Sequence, residues 1–326
     1  MATISDVAAR AGVSTATVSR ALNGKSTVDP ALAARVQEAA TELGYHPNGL
    51  ARNLRRQETA VLALIISDVE NPFFTAIARG VEDLAQTSGY SVVLCNSDEN
   101  MDKERRYIDV ALQERVAGVV LSPTGRSTNV DRLRALGTPV VAVDRPLPDA
   151  TGDQVLVDTR LAAGNATRHL LDGGYRRVGC VTGPAGVRTA DDRLAGYLDV
   201  VGEENALYRR AEYRAAGAKT VTLDLLDEAH PDALLVANST MAIGVLEALA
   251  ERGLRSGRDI GIVSFDDAPW TTLIDPPLTV VAQPAYEVGK AAAGLLLARI
   301  ADSTREATTT TLQAQLIVRR SSRKPD

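Results

Sequence analysis

The chain of 326 residues is long enough for more than one domain, and its 45% hydrophobic content is that of an ordinary globular protein. A formal charge of −5 excludes a uniformly basic nucleic-acid binder, yet residues 1–58 hold seven Lys/Arg against five Asp/Glu, so the acidic excess lies beyond them. The sequence opens without a basic, apolar and small-residue leader and contains no apolar run near membrane-span length, so a cytoplasmic location is expected.

In chain order, Ile4, Val7, Ala8 and Ala11 recur at helical spacing, with Ser5 as the expected N-cap and Asp6 in the first turn. Gly12 permits a sharp turn there. A second helix follows, capped by Ser14, with Val18, Ala21 and Leu22 turned inward and Thr15, Ala16, Ser19 and Arg20 outward. Two short helices about a tight turn form the pattern of a helix-turn-helix, whose second helix meets base edges in the major groove with its N-terminal residues. Periodicity alone also fits an ordinary solvent-facing helix pair. Asp29-Pro30 opens a third helix with Leu32, Val36, Ala39, Ala40 and Leu43 on its buried side, ended by Gly44-Tyr45-His46-Pro47, and three such helices make a small headpiece. The stretch Pro47–Arg56 carries Leu50 and Leu54 at i and i+4 and is too short and too charged for a packed core helix. Its Arg52, Arg55 and Arg56 suit phosphates.

From residue 60 onward the pattern changes to alternation. Apolar runs at Val61–Ser67, Ser91–Cys95, Ala117–Ser122 and Pro139–Val143 alternate with helical patterns near Phe74–Ser88, Lys103–Glu114 and Asn129–Leu136, as in a parallel sheet covered on both faces. A second set, Val155–Val157, Val178–Thr182, Ala233–Ala237, Ile260–Phe265 and Thr279–Ala282, is separated by helices beginning near Thr159, Thr189, Ser239 and Pro284, so two α/β lobes are expected. Gly183-Pro-Ala-Gly186 lacks the G-x-G-x-x-G spacing of a dinucleotide loop, and no Walker loop, G-x-S-x-G elbow or H-E-x-x-H occurs, which leaves enzymatic function unsupported. Cys95 and Cys180 sit in apolar runs and read as buried free thiols, while His46, His169 and His230 have no ligand spacing. Neither a metal ion nor a cofactor is expected.

The run Thr3–Asn23, with Gly44-Tyr45-His46-Pro47-Asn48 and Ala51-Arg52-Asn53-Leu54, closely resembles the lactose-repressor (galactose–lactose repressor) family of bacterial transcription regulators, and the resemblance extends to Arg320. By matching positions it implies that Thr15, Ala16 and Arg20 read bases and that Ser14, Thr17, Ser19 and Asn23 hold the DNA backbone. Leu54 matches the hinge leucine that wedges into the minor groove, flanked by Arg52, Asn53 and Arg55, and Leu50 matches the residue that packs against its copy in the partner subunit. The implied organisation is an all-α helix-turn-helix headpiece at 1–46, a hinge helix and linker at 47–58, and a two-lobed α/β domain with parallel sheets, resembling periplasmic binding proteins, at 59–326. Lobe 1 is placed at about 60–158 with 284–312, and lobe 2 at about 159–283 with 313–320.

Ligands of open α/β sheets bind beyond the carboxyl ends of strands, so polar residues just after the apolar runs are the candidates. Asn71 and Phe73 match the family's pocket-lining Asn-Pro-Phe-Phe, Asp144-Arg145 is similar to a pair often found at the effector site, and Asp266, Asn238 and Gln283 follow strands of the second lobe. Tyr213 sits where members place a stacking aromatic. Asn71 could instead serve only as a helix cap, Phe73 and Phe74 as core, and Asp144-Arg145 as a salt-bridged loop. Many relatives carry arginine where this chain has Asp191; together with Asp266 it favours a neutral polyol, sugar or nucleoside, although Arg188 or Arg145 could reverse this. Asn238-Ser239 replaces the usual Asn-Asp, with Ser239 still able to cap the next helix.

The expected protein is a homodimeric repressor of a near-palindromic double-stranded DNA operator, controlled by a small, sugar-like effector. The alternative is a regulator of the same family controlled by a protein partner or by a phosphorylated or acidic metabolite. A transport component sharing the two-lobed fold would have no use for residues 1–58, and without a leucine heptad a dimer is expected over a tetramer.

Overall fold

The computed structural model describes residues 2–22, 28–45, 59–125 and 127–324, which fall into two compact units divided between Thr59 and Ala60. Asn23 and the residues expected to form the hinge, Leu50, Arg52, Asn53, Leu54 and Arg55, lie outside the described residues. The first unit packs α1 (Ile4–Ala11), α2 (Thr15–Leu22) and α3 (Pro30–Glu42) around Val7, Ala8, Ala11, Val18, Ala21, Val36, Ala39 and Ala40. Thr3, not Ser5, caps α1: its N–H donates to the Asp6 carboxylate at 2.8 Å while its hydroxyl accepts from the Asp6 N–H at 3.3 Å. The reciprocal box requires an acidic residue three positions after the cap, which Thr3 has and Ser5 lacks.

Gly12 ends α1 at φ +65°, and the Arg35 guanidinium donates to the Ala11 carbonyl at 2.5 Å, tying α3 to the turn. Leu43, expected inside, is 37% exposed, because α3 ends there and the left-handed Gly44 swings the chain back. Tyr45 then packs against the cluster, its N–H donating to the Ala40 carbonyl at 2.8 Å.

The second unit holds two six-stranded sheets. The strands are β1 (Val61–Ile66), β2 (Ser91–Asn96), β3 (Gly118–Leu121), β4 (Val140–Val143), β5 (Asp153–Val157), β6 (Val178–Thr182), β7 (Leu207–Arg210), β8 (Ala233–Val236), β9 (Gly261–Phe265), β10 (Thr279–Ala282), β11 (Thr309–Leu312) and β12 (Gln315–Ile317). One sheet runs β11-β5-β4-β3-β1-β2, all parallel; the other runs β12-β10-β9-β8-β6-β7, parallel except for β12. The strand read at Val155–Val157 thus belongs to the first lobe, and β7 is an edge strand that the apolar pattern did not reveal.

The helices are α4 (Pro72–Thr87), α5 (Met101–Gln113), α6 (Asp131–Ala135), α7 (Thr159–Asp172), α8 (Arg188–Val201), α9 (Ala215–Ala229), α10 (Ser239–Glu251) and α11 (Ala285–Ala301). Strand side chains alternate between two cores, as pleating requires: Leu62, Leu64 and Ile66 meet α4 and α11, while Ala63 and Ile65 meet α5 and α6. In the second lobe Leu234, Val236, Ile262 and Val280 join α9 and α10, and Leu235, Val263, Phe265 and Val281 join α7 and α8. A Cβ on Gly289 would come within 2.0 Å of the Ile77 carbonyl, so only glycine allows α4 and α11 to cross this closely. The chain passes between lobes three times, after β5, β10 and β11, which is the geometry of a hinge. Cys95 and Cys180 are buried and free, and burial raises both thiol pKa values, that of Cys180 to about 12.

Candidate functional site

In the first unit, α2 exposes Thr15, Ala16 and Arg20 along one side, beginning at its N-terminus. Ser14 caps the helix by accepting from the Thr17 N–H at 3.2 Å, and the two hydroxyls bond to each other at 2.9 Å. Small side chains at the start and a guanidinium one turn later suit close approach to base edges and a bidentate contact.

In the second unit, the carboxyl ends of both sheets face a common cleft lined by Asp68, Asn71, Phe73, Phe74, Glu99, Asp144, Arg145, Thr189, Arg193, Tyr213, Asn238, Asp266 and Gln283. Asn71 caps α4, accepting from the Phe73 N–H at 3.0 Å, and Asn238 caps α10, accepting from the Met241 N–H at 2.7 Å; Ser239 is the first helical residue, not the cap. Both roles expected of Asn71 therefore coexist. Phe73 and Phe74 are both nearly buried and both line the cleft, their rings edge to face at 5.2 Å.

Two aspartates occupy equivalent places, one in each lobe. Asp144 follows β4 and Asp266 follows β9; each is in the left-handed region, at φ +65° and +71°. Each donates its N–H to the neighbouring strand, to Val155 and Val281 respectively. Burial pushes both carboxyl pKa values up; Arg145 and Arg193 oppose this at Asp144, and Arg193, Gln283, the Ser239 N–H and Asn71 oppose it at Asp266. Gln283 donates to Asp266 at 2.7 Å. Arg145 is clasped by Glu99 through bonds of 2.8 and 2.6 Å, and Arg193 donates to the Ala237 carbonyl at 2.6 Å while lying 4.3 Å from the Phe265 ring centroid.

Asp191 is not in the cleft. Its carboxylate accepts from Arg210 at 2.8 Å and from the Gly186 N–H at 3.1 Å, bracing the loop before α8 against β7. Thr189 and Arg193 are four residues apart on the other face of α8, so the arginine thought to be missing from the cleft is Arg193. Arg188 is exposed and pairs with Asp192 at 2.8 Å. The helical spacing of Thr189 and Arg193 could have revealed their shared face; nothing in the sequence marks Glu99, whose place in the cleft depends on contacts distant in the chain.

Residues 3–48 match the model of bacterial regulatory proteins of the lacI family, and residues 167–322 match that of a periplasmic binding protein-like domain. The chain is 38% identical over 304 residues to the ribose operon repressor of Halalkalibacterium halodurans, covering 92% of this chain and 91% of that protein. Among solved structures, it is similar to the lac repressor dimer bound to operator and the anti-inducer ONPF, with TM-score 0.85, 26% identity and 98% and 99% of the two chains covered. It is also similar to a LacI family transcriptional regulator from Enterococcus faecium with bound ribose, with TM-score 0.73, 26% identity and 80% and 98% covered. Sequence and fold together make this chain a member of the lacI family of bacterial DNA-binding transcription regulators.

Proposed function

We propose that this protein is a homodimeric repressor whose affinity for a near-palindromic operator is controlled by a neutral, polyhydroxylated effector held between the lobes. The observation that carries the reading is where buried polar atoms lack a hydrogen bond. Of seven such side-chain atoms among the described residues, four belong to the cleft lining: Arg145 Nε, held only by an ion pair to Asp144 at 3.3 Å, Arg193 Nε, the Tyr213 hydroxyl and Gln283 Oε1. A fifth, the Ser239 hydroxyl, belongs to the residue whose N–H bonds Asp266. Buried polar groups are ordinarily satisfied, so such a concentration marks a surface built to bond something else.

The lining also carries four carboxylates, Asp68, Glu99, Asp144 and Asp266, against two guanidiniums of its own, with Arg145 already committed to Glu99 and Asp144 and with Asp68 paired to Arg214 at the edge of the cleft. An anionic metabolite would meet net negative charge, whereas hydroxyls can donate to the aspartates and accept from the arginines. The names of the ribose operon repressor and of the ribose-bound regulator favour a pentose as the first candidate. A homodimer is supported by apolar surface in both lobes: Val93 and Leu94 on edge strand β2 are 50% and 44% exposed, and Leu273 is 82% exposed. The hinge residues Leu50 to Arg55, with Leu54 as minor-groove wedge, complete the DNA-binding part of the proposal, which places the protein in the cytoplasm.

The test is thermal unfolding of the full chain with D-ribose, other neutral sugars, polyols and nucleosides beside their phosphorylated counterparts, followed by operator gel shifts with each ligand that binds. A stabilising neutral ligand that changes operator affinity supports the proposal. Stabilisation by phosphorylated compounds alone overturns the charge argument.

A further inference from the structure

Arg214 joins the two lobes at the edge of the cleft. It stands between β7 and α9 in the second lobe, and its guanidinium donates to two carboxylates of the first, Asp68 at 2.7 Å and Asp98. Asp68 is 4% exposed, and among the described residues its ion pair comes from the opposite lobe. Asp98 differs, because it also accepts from Lys103 at 3.1 Å within its own lobe. Opening the lobes would therefore leave Asp98 with a cation but strip Asp68, a buried carboxylate, of its counter-charge, with the Glu70 N–H at 2.9 Å left to it.

Each of these groups is joined through the backbone to a cleft residue. Arg214 follows Tyr213, and Asp98 precedes Glu99. Glu99 clasps Arg145, whose guanidinium carbon lies 5.9 Å from the Tyr213 ring centroid. The circuit Tyr213, Arg145, Glu99, Asp98, Arg214 and back to Tyr213 closes on itself and crosses between lobes twice. Asp98 and Glu99 are both left-handed, at φ +56° and +53°, a costly conformation for two successive non-glycine residues that their side-chain partners hold in place.

We propose that Arg214 is a positioning residue for the effector: it latches the lobes in their closed arrangement, and the Asp98-Glu99 turn couples that latch to whatever engages Arg145 and Tyr213. The coupling rests on the reading of the cleft as the effector site; the latch does not. A ligand that draws Arg145 from Glu99, or displaces the Tyr213 ring, acts on residues adjacent in the chain to both ends of the latch, and reciprocally the latch sets the ligand's affinity.

The latch is tested on the full chain without ligand, by hydrogen exchange of the Asn71, Phe73 and Phe74 amides at the start of α4, residues that line the cleft from the first lobe. Arg214→Met should raise their exchange rate about fivefold through more frequent opening, and Arg214→Lys should restore most of the protection. Arg210→Met, which breaks an ion pair within the second lobe, should leave these residues at the wild-type rate. Equal rates in wild type and Arg214→Met, or equal acceleration by Arg210→Met, overturn the latch. With D-ribose as the probe, Arg214→Met should weaken binding by a similar factor. Unchanged affinity overturns the coupling. The same comparison is made in parallel with the other neutral sugars, and failure of wild type to bind any of them overturns the effector reading while the exchange comparison still decides the latch.

Discussion

Asp266→Asn separates the charge of the cleft aspartate from its shape. In the unliganded protein this carboxylate is 5% exposed and accepts from Gln283 at 2.7 Å, with Arg193 as counter-charge. Burial raises its pKa, so holding it ionised carries a cost that a neutral amide avoids; the amide nitrogen, however, cannot accept, and a donor on its side loses its partner. Asparagine also tolerates the left-handed backbone at φ +71°. The two effects oppose, each about 1–2 kcal/mol, so unliganded stability should change by less than about 1 kcal/mol, or about 2 °C in the transition of the larger unit. Hydroxyl bonds to a charged acceptor are worth about 1.5–3 kcal/mol, so sugar affinity should fall roughly 10- to 150-fold. At a sugar concentration of about 100 wild-type Kd, wild type gains about 2.7 kcal/mol and the variant about 0.3–1.4, which halves the thermal shift or more. Calorimetric titration of both proteins supplies the Kd values. An unchanged Kd refutes the assignment of the charge to ligand binding, and a large loss of unliganded stability refutes the balance worked out above.

Asp191→Ala should leave sugar affinity at the wild-type value and cost under about 1 kcal/mol, because its partner Arg210 lies outside the cleft lining; a tenfold loss in titration would return Asp191 to the site. The pKa values of Asp144 and Asp266 are raised in the folded state, so their contribution to unliganded stability is fully present below the ordinary carboxylate pKa and lost as pH rises through the raised values. Hydroxyl donors favour the ionised forms, so sugar affinity should fall on acidification through that same window, and titrations in buffers of different ionisation enthalpy should register protons released on binding. Arg20→Ala should weaken operator binding by about 1–3 kcal/mol and binding to random DNA little, as gel shifts on both would show; equal losses would mean that α2 presents another face to the bases. Leu54→Ala should reduce operator bending and affinity together in circular-permutation gel shifts, and an unchanged bend would remove the wedge.

The fold was legible where burial imposes a period. Val61-Leu-Ala-Leu-Ile-Ile66 is apolar throughout because helices cover both faces of β1, and the small headpiece follows from three amphipathic stripes with caps between them. Leu207-Tyr-Arg-Arg210 was illegible because an edge strand paired on one side can be polar along its length. In the cleft, residues directly after strands were visible as a class, since a strand's end fixes where its next side chain begins. Residues on α8 needed a helical register to be sorted, and taking Asp191 from its position in the chain rather than from its face put the wrong side chain in the cleft. Glu99 and Arg214 are recruited by partners 46 and 146 residues away, a separation at which local pattern carries no information.

In the cleft, burial and backbone conformation both work against the two aspartates. Thr3 and Asp6 satisfy each other, and Asp153, 3% exposed, accepts bonds from Arg299 and from the Thr308 N–H. Asp144 and Asp266 are as deeply buried, yet each occupies a backbone conformation that glycine would take without strain, and burial works against the charge of each. Such positions persist when the side chain supplies something that glycine cannot, and here that is one acceptor from each lobe at equivalent places in two similar sheets. A polyol that donates to both aspartates favours the lobe separation at which both bonds are short. The difference between its affinity for that separation and for wider ones, and not the total strength of its binding, sets how far the equilibrium between lobe arrangements moves.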